Sequence, residues 1–171
     1  ALPVFAEEGW VHRMMALPRK QTDKRPASKQ RLRFWLRLLK LQRRMEAVLR
    51  EKLRAEFGTT LPRFDVMAAL YHHERGLRMS ALSSFLKVSN GNVTGIVDRL
   101  VHDGIIIRVP VKGDRRAMTV RLTTKGRDEF ADMASVHEVW VNELLADLPP
   151  ADAEAMIAGL DRLDQTMGEP E

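Results

Sequence analysis

Along most of the chain the apolar residues return at steps of three and four, the spacing that lines one face of an α-helix. The first long run covers residues 30–57. Phe34, Leu38, Leu41, Met45, Val48, Leu49, Leu53 and Phe57 make one stripe, and Leu32, Trp35, Leu36 and Leu39 widen it in the first half, as in a helix covered on two sides at one end. Gly58 is placed to stop this helix, and Thr59, Thr60, Leu61 and Pro62 open a second, with proline in the permissive first turn and Phe64, Val66, Met67, Leu70 and Tyr71 facing inward. After the turn HHERGLR, Ser80 is a candidate cap for a short helix over 81–86. Lys87 and Val88 then turn the chain into another helix, within the stretch from Lys87 to Asp103, which Ser89 can cap and in which Val93, Ile96, Val97 and Leu100 share one face.

Two stretches break the helical period. Ile105, Ile106, Ile107, Arg108 and Val109 read as a buried strand, and AMTVRL, from Ala117 to Leu122, as an alternating one. Between them PVKGDRR carries the turn residues Pro110 and Gly113 with three cations around one acid, which predicts a hairpin with a basic tip. Thr123 can cap a long helix over 124–146, Pro149 and Pro150 break it, and a last helix over 151–167 carries Met156, Ile157, Leu160 and Leu163 on one side. Residues 1–29, with three prolines and no sustained period, read as an N-terminal extension.

Helix, tight turn, helix and hairpin is the arrangement of a winged helix-turn-helix. The helix after Ser89 has the side chains of one that enters a DNA major groove. Opposite its apolar face stand Asn90, Asn92, Thr94, Asp98 and Arg99, short polar groups and a long cation suited to base edges and phosphates. Gly91 and Gly95 lie on the same surface, and each costs a helix about 1 kcal/mol relative to alanine. Close approach of a bulky partner gives a reason for that cost; an ordinary solvated face is the plainer alternative.

Charge sharpens this picture. The net charge is +5, but from Arg19 to Arg54 there are 14 Lys or Arg against 3 acids, and from Arg127 to Glu171 there are 2 against 12. A basic front half fits a polyanionic partner, and an acidic tail fits solvent or a second subunit. With 171 residues, 44% of them hydrophobic, the chain can bury one core and extend arms from it. No cysteine is present, so disulfides, thiolate catalysis and cysteine metal sites are excluded. No long apolar run or signal-peptide pattern is found, so no membrane is expected and a cytoplasmic location is. His72 and His73 are adjacent, about 100° apart on a helix, and cannot chelate one metal together. Without a phosphate-binding glycine loop, metal-spaced cluster or nucleophile elbow, neither an enzyme nor a cofactor is expected.

Three stretches together resemble the MarR family of transcriptional regulators: LPRFDVMAAL at 61–70, the run from Leu82 to Ile106, and GDRRAMTVRLTTKGR from Gly113 to Arg127. The last fits the family's wing signature through Asp114, Arg116, Leu122, Thr123 and Gly126. Many relatives carry Pro-Ser-Thr where this chain has Asn90, Gly91 and Asn92, so base preference does not carry over. The resemblance implies a mainly α fold with a small β wing, a winged helix-turn-helix core flanked by long dimerisation helices. Its divisions are an extension over 1–29, a dimerisation helix over 30–57, a DNA-binding lobe over 58–123 and C-terminal dimerisation helices over 124–171. It implies a homodimer on double-stranded DNA. Ser80, Ser89, Asn90, Asn92, Thr94, Arg99, Arg115 and Arg116 are then the DNA-contacting residues, with Asp98 and Asp114 bracing a wing arginine.

The resemblance also implies a small-molecule site where the first, second and fifth helices meet. Trp35, Leu38, Met67, Tyr71, Met133, His137 and Trp140 would line it, an aromatic and methionine-rich set with one ionisable group, although each of them singly also suits a core. Such a lining suits an aromatic acid or its acyl-CoA thioester, and EFGTTLPRFDVMAAL is similar to regulators of aromatic-acid catabolism. Arg31, Arg33, Arg37 and Lys40 are the cations nearest in sequence for a thioester's phosphates. The expected function is a repressor released from a palindromic operator by that ligand. The alternative is a sequence-independent architectural nucleic-acid-binding protein without a switch, which basic charge alone would serve.

Overall fold

The computed structural model describes residues 26–86, 90–111 and 114–167, and side chains over 26–86, 91–111 and 118–167. Most of the expected extension, the turn at Lys87 and Val88, the Ser89 cap and the hairpin tip at Lys112 and Gly113 lie outside the described residues. The chain divides into two compact units, residues 1–41 and 42–171. In the first, the described residues are almost all helical, the opening part of α1 (Ala27–Phe57), with Leu32, Phe34, Trp35 and Leu41 exposed.

The second unit continues from the end of α1 through α2 (Leu61–His72), β1 (Leu77–Arg78), α3 (Met79–Leu86), α4 (Asn90–His102), β2 (Ile106–Val111), β3 (Asp114–Leu122), α5 (Thr124–Leu144) and α6 (Pro150–Met167). The expected punctuation largely holds. Gly58 closes α1 at φ +60°, Thr60 accepts from the Arg63 N–H at the start of α2, and Thr123 accepts from Gly126 N–H at the start of α5. Ser80 does not cap: α3 begins at Met79, directly after β1, which places Ser80 inside the first turn. The stretch expected to be only a turn also supplies β1, because Leu77 and Arg78 pair with Val120 and Thr119.

Three antiparallel strands lie in the order β1-β3-β2. Ile106 faces Leu122 and Arg108 faces Val120, while Ile107 faces Arg121 on the other side of the sheet. The β2 stretch is therefore not buried throughout. Ile105 and Ile106 are, but Ile107 alternates outward, as one face of an antiparallel sheet does when it is left to solvent.

One core fills the second unit. Leu53 of α1, Met67 and Leu70 of α2, Leu82 of α3, Val93, Val97 and Leu100 of α4, Ile106 and Val120 of the sheet and Met133 of α5 meet there with almost no exposure. Its join to α5 depends on Gly126. A methyl group at that position would lie 2.2 Å from the Ile105 carbonyl oxygen, so only glycine lets the helix start this close to the root of β2. By contrast α6 buries no residue, and its Met156, Ile157, Leu160 and Leu163 are all exposed.

Candidate nucleic-acid interface

The core holds α4 by one face and leaves the other exposed. Val93, Val97 and Leu100 are wholly buried and Ile96 is half-buried, whereas Asn92, Thr94, Asp98 and Arg99 are exposed. Gly91 and Gly95 lie on the exposed side, and a methyl group at either would meet nothing within 4 Å. The protein's own packing therefore gives no reason for two glycines in this helix. Asn90 opens α4, and Ser80 is exposed on α3. Asp114, Arg115 and Arg116 begin β3, but their side chains, like that of Asn90, lie outside the described residues.

Two ion pairs hold α4 from different sides. Asp98 accepts from Arg108 of β2, so the strand leading into the wing is tied to the outer face of α4, while the side chains of Arg115 and Arg116 lie outside the described residues. Arg108 was not singled out from the sequence. Its register opposite Val120 turns it toward α4, and a sequence that reads as a buried strand hides such a position. Asp103, just past the helix end, accepts from Arg63 of α2 at 2.7 Å, and its backbone carbonyl accepts from Lys125 of α5 at 3.1 Å. The hydrogen bond from Arg63 holds the Asp103 carboxyl below the usual carboxylate range, with the positive charge of Arg63 adding to it.

The residues expected to line a ligand site divide between the units. Trp35, exposed, and Leu38, half-buried, belong to the first. In the second, Met67, Met133 and Trp140 are buried core residues, while Tyr71 and His137 are half-buried beside them. The rings form a chain along α2 and α5. Tyr71 lies 4.9 Å from Phe130, Phe130 5.2 Å from Phe64, and Phe64 stacks on His137 at 4.7 Å. His137 approaches Trp140 at 6.5 Å, and Phe57 meets Trp140 at 6.0 Å. Phe130, together with Phe57 and Phe64, which the apolar period marked only as core, completes this cluster. Burial lowers the His137 pKa, so the stacked imidazole is held toward its neutral form.

Nδ1 of His73 donates to the Ala69 carbonyl at 2.7 Å, and among the described residues no group of three His, Cys, Asp or Glu converges. No helix among them is long and apolar enough to cross a membrane.

A helix-turn-helix anchored by its apolar faces, with a polar outer face braced against a β hairpin, defines a winged-helix DNA-binding protein. The family model described as MarR family matches residues 59–118. The transcriptional activatory protein BadR of Rhodopseudomonas palustris is 30% identical over 139 residues, which cover 78% of this chain and 79% of that protein. A MarR family transcriptional regulator from Silicibacter pomeroyi superposes with a TM-score of 0.71 at 32% identity, covering 85% of this chain and 100% of that one. The regulator BldR of Sulfolobus solfataricus has the same fold, with a TM-score of 0.72 at 24% identity over 81% of this chain and 96% of its own. The chain belongs to the MarR family: it is a DNA-binding transcriptional regulator, of a family whose members regulate transcription and are not enzymes.

Proposed function

We propose that the chain acts as a homodimer on a palindromic operator, reading bases through Asn90, Asn92, Thr94 and Arg99, with Ser80 and Ser89 on phosphates and Arg115 and Arg116 at the neighbouring minor groove. The observation that carries this reading is the outer face of α4, polar, exposed and made low by two glycines for which the fold itself has no use. Support for the dimer comes from α6, whose Met156, Ile157, Leu160 and Leu163 form an apolar row with no buried member. A second copy of the chain is the occupant that MarR regulators, as dimers, call for.

The same reading makes the regulator responsive to an aromatic acid or its acyl-CoA thioester, bound beside the Tyr71, Met67, Met133, His137 and Trp140 cluster. The support is the run of rings with one near-neutral imidazole, which offers stacking and a single polar contact. The ligand releases the operator, giving repression where the operator overlaps a promoter. The relative from Rhodopseudomonas palustris is named an activator, and the sign of regulation follows from operator position while the release step stays the same. By linkage, a tenfold loss of DNA affinity requires about 1.4 kcal/mol of coupling, and DNA weakens the ligand by the same factor. Calorimetry of aromatic acids and their CoA thioesters, with and without operator DNA, tests this. Binders that leave DNA affinity unchanged, or a panel with no binder, would refute the switch and leave DNA binding standing.

A further inference from the structure

The outer face of the wing sheet carries a cleft of about 480 Å³ that neither DNA contact nor the aromatic cluster uses, lined in part by Glu74, Ile107, Arg121, Leu122, Thr124 and Arg127. Strand register sets Ile107 directly opposite Arg121, so a hydrocarbon surface and a guanidinium stand side by side. Ile107 is 37% exposed, a β-branched apolar side chain left open on this face. Arg121 is exposed, and its guanidinium has no hydrogen bond or ion pair among the described residues. Arg127 donates to Glu74 at 3.0 Å, with its guanidinium carbon 4.9 Å from the centre of the Tyr71 ring, which holds it at the edge of the cleft. Two guanidinium groups thus line the cleft with one carboxylate, Glu74, which is well exposed and, among the described residues, paired with Arg127 alone.

We propose that this cleft binds a small organic carboxylate with an apolar body about one ring in size. Arg121 and Arg127 take the carboxylate, Arg127 exchanging Glu74 for it, and the body lies on Ile107. The volume falls in the range of about 300–1,000 Å³ usual for small-molecule sites, and guanidinium forks match a carboxylate's two oxygens. An inorganic anion would satisfy the charge but leave Ile107 uncovered. The inference does not rest on the ligand switch proposed above, since the lining of the cleft includes none of Tyr71, His137 and Trp140.

The test titrates the full ¹⁵N-labelled chain with benzoate, hexanoate and inorganic phosphate, following backbone amides in the wild type, Arg121→Ala and Glu74→Gln. Both carboxylates should shift the amides of residues 74–76 and 121–127, and phosphate should bind more weakly than either. Arg121→Ala should weaken the carboxylates about tenfold, as expected for one charge-assisted contact. Glu74→Gln removes the competitor for Arg127 and should tighten them several-fold, a gain that damage to the fold would not produce. Unmoved amides at the wing root would overturn the proposal. So would unchanged affinity in a folded Arg121→Ala protein, no tightening in Glu74→Gln, or phosphate binding as well as the carboxylates. Shifts confined to residues around His137 and Trp140 would also overturn it while supporting the aromatic cluster as the ligand site.

Discussion

Glycine-to-alanine replacement should have opposite signs at two places in this fold, and the sign follows from what the added methyl meets. At Gly126 it would stand 2.2 Å from the Ile105 carbonyl oxygen, 3.0 Å from Ile105 Cγ2 and 3.1 Å from the carbonyl carbon. Neither the backbone of Ile105 nor the start of α5 can yield without cost, because that carbonyl accepts from Thr123 N at 2.9 Å and from Thr123 Oγ1 at 3.2 Å. Overpacking of this kind costs about 1–3 kcal/mol, and each weakened hydrogen bond adds about 1 kcal/mol. Gly126→Ala should therefore lose roughly 2–4 kcal/mol, a large part of the ~5–15 kcal/mol that holds a domain together. At ~2–4 °C per kcal/mol for a chain of this size, melting should fall by roughly 5–15 °C. At Gly95 the methyl meets nothing within 4 Å, so helix propensity alone acts and Gly95→Ala should gain about 1 kcal/mol. Urea and thermal unfolding of both variants by circular dichroism decide the matter. A Gly126→Ala protein as stable as the wild type, or a destabilised Gly95→Ala protein, would refute the packing argument.

Arg108→Ala frees Asp98 and with it the brace between β2 and α4; it should weaken DNA binding while changing stability by no more than about 1 kcal/mol, because the pair is partly exposed. Unchanged DNA affinity would contradict the bracing role. Burial lowers the His137 pKa, so as pH falls below about 6.5 the unfolded chain takes up a proton before the folded one, and stability declines down to the lowered folded value. An NMR titration should place the His137 midpoint below that of an ordinary histidine, and a midpoint at or above it would contradict the burial argument. Asp103 contributes in a lower window. Its stabilisation is present above about pH 4 and is lost as pH falls through the depressed folded value, so Asp103→Asn should flatten that limb of the acid unfolding curve. Replacing Ile157 and Leu160 together by glutamate should give a monomer by light scattering with melting of the second unit little changed, since both are exposed on α6; a persistent dimer would move the interface elsewhere.

Much of the fold was legible because local rules and burial agree. The buried residues of α4 are those that its period of three and four selects, and Thr60 and Thr123 cap the helices they precede. Where reading failed, a long-range contact decided the outcome. A two-residue strand such as Leu77–Arg78 has no period of its own and exists because β3 pairs with it. Ser80 has the chemistry of a cap, but that pairing lets α3 start one residue earlier, at Met79. The run Ile105 to Val109 looks uniformly apolar, so the sequence concealed both the outward turn of Ile107 and the inward turn of Arg108, which register alone assigns. For the site, the outer face of α4 could be read from spacing, whereas the Arg63–Asp103 and Asp98–Arg108 pairs join residues 40 and 10 positions apart and carry no local signal.

The central claim is that the outer face of α4 reads base sequence, and selection of bound duplexes from a random pool by the wild-type protein and by Asn92→Ala tests it most directly. The wild type should enrich an inverted repeat with half-site centres about 34–36 Å apart, one helical turn of DNA. Asn92→Ala should enrich the same repeat with preference lost at one position in each half-site, a relaxation of about 1–3 kcal/mol there. A pool in which the wild type enriches no sequence, or in which both proteins enrich an identical one, would contradict the claim.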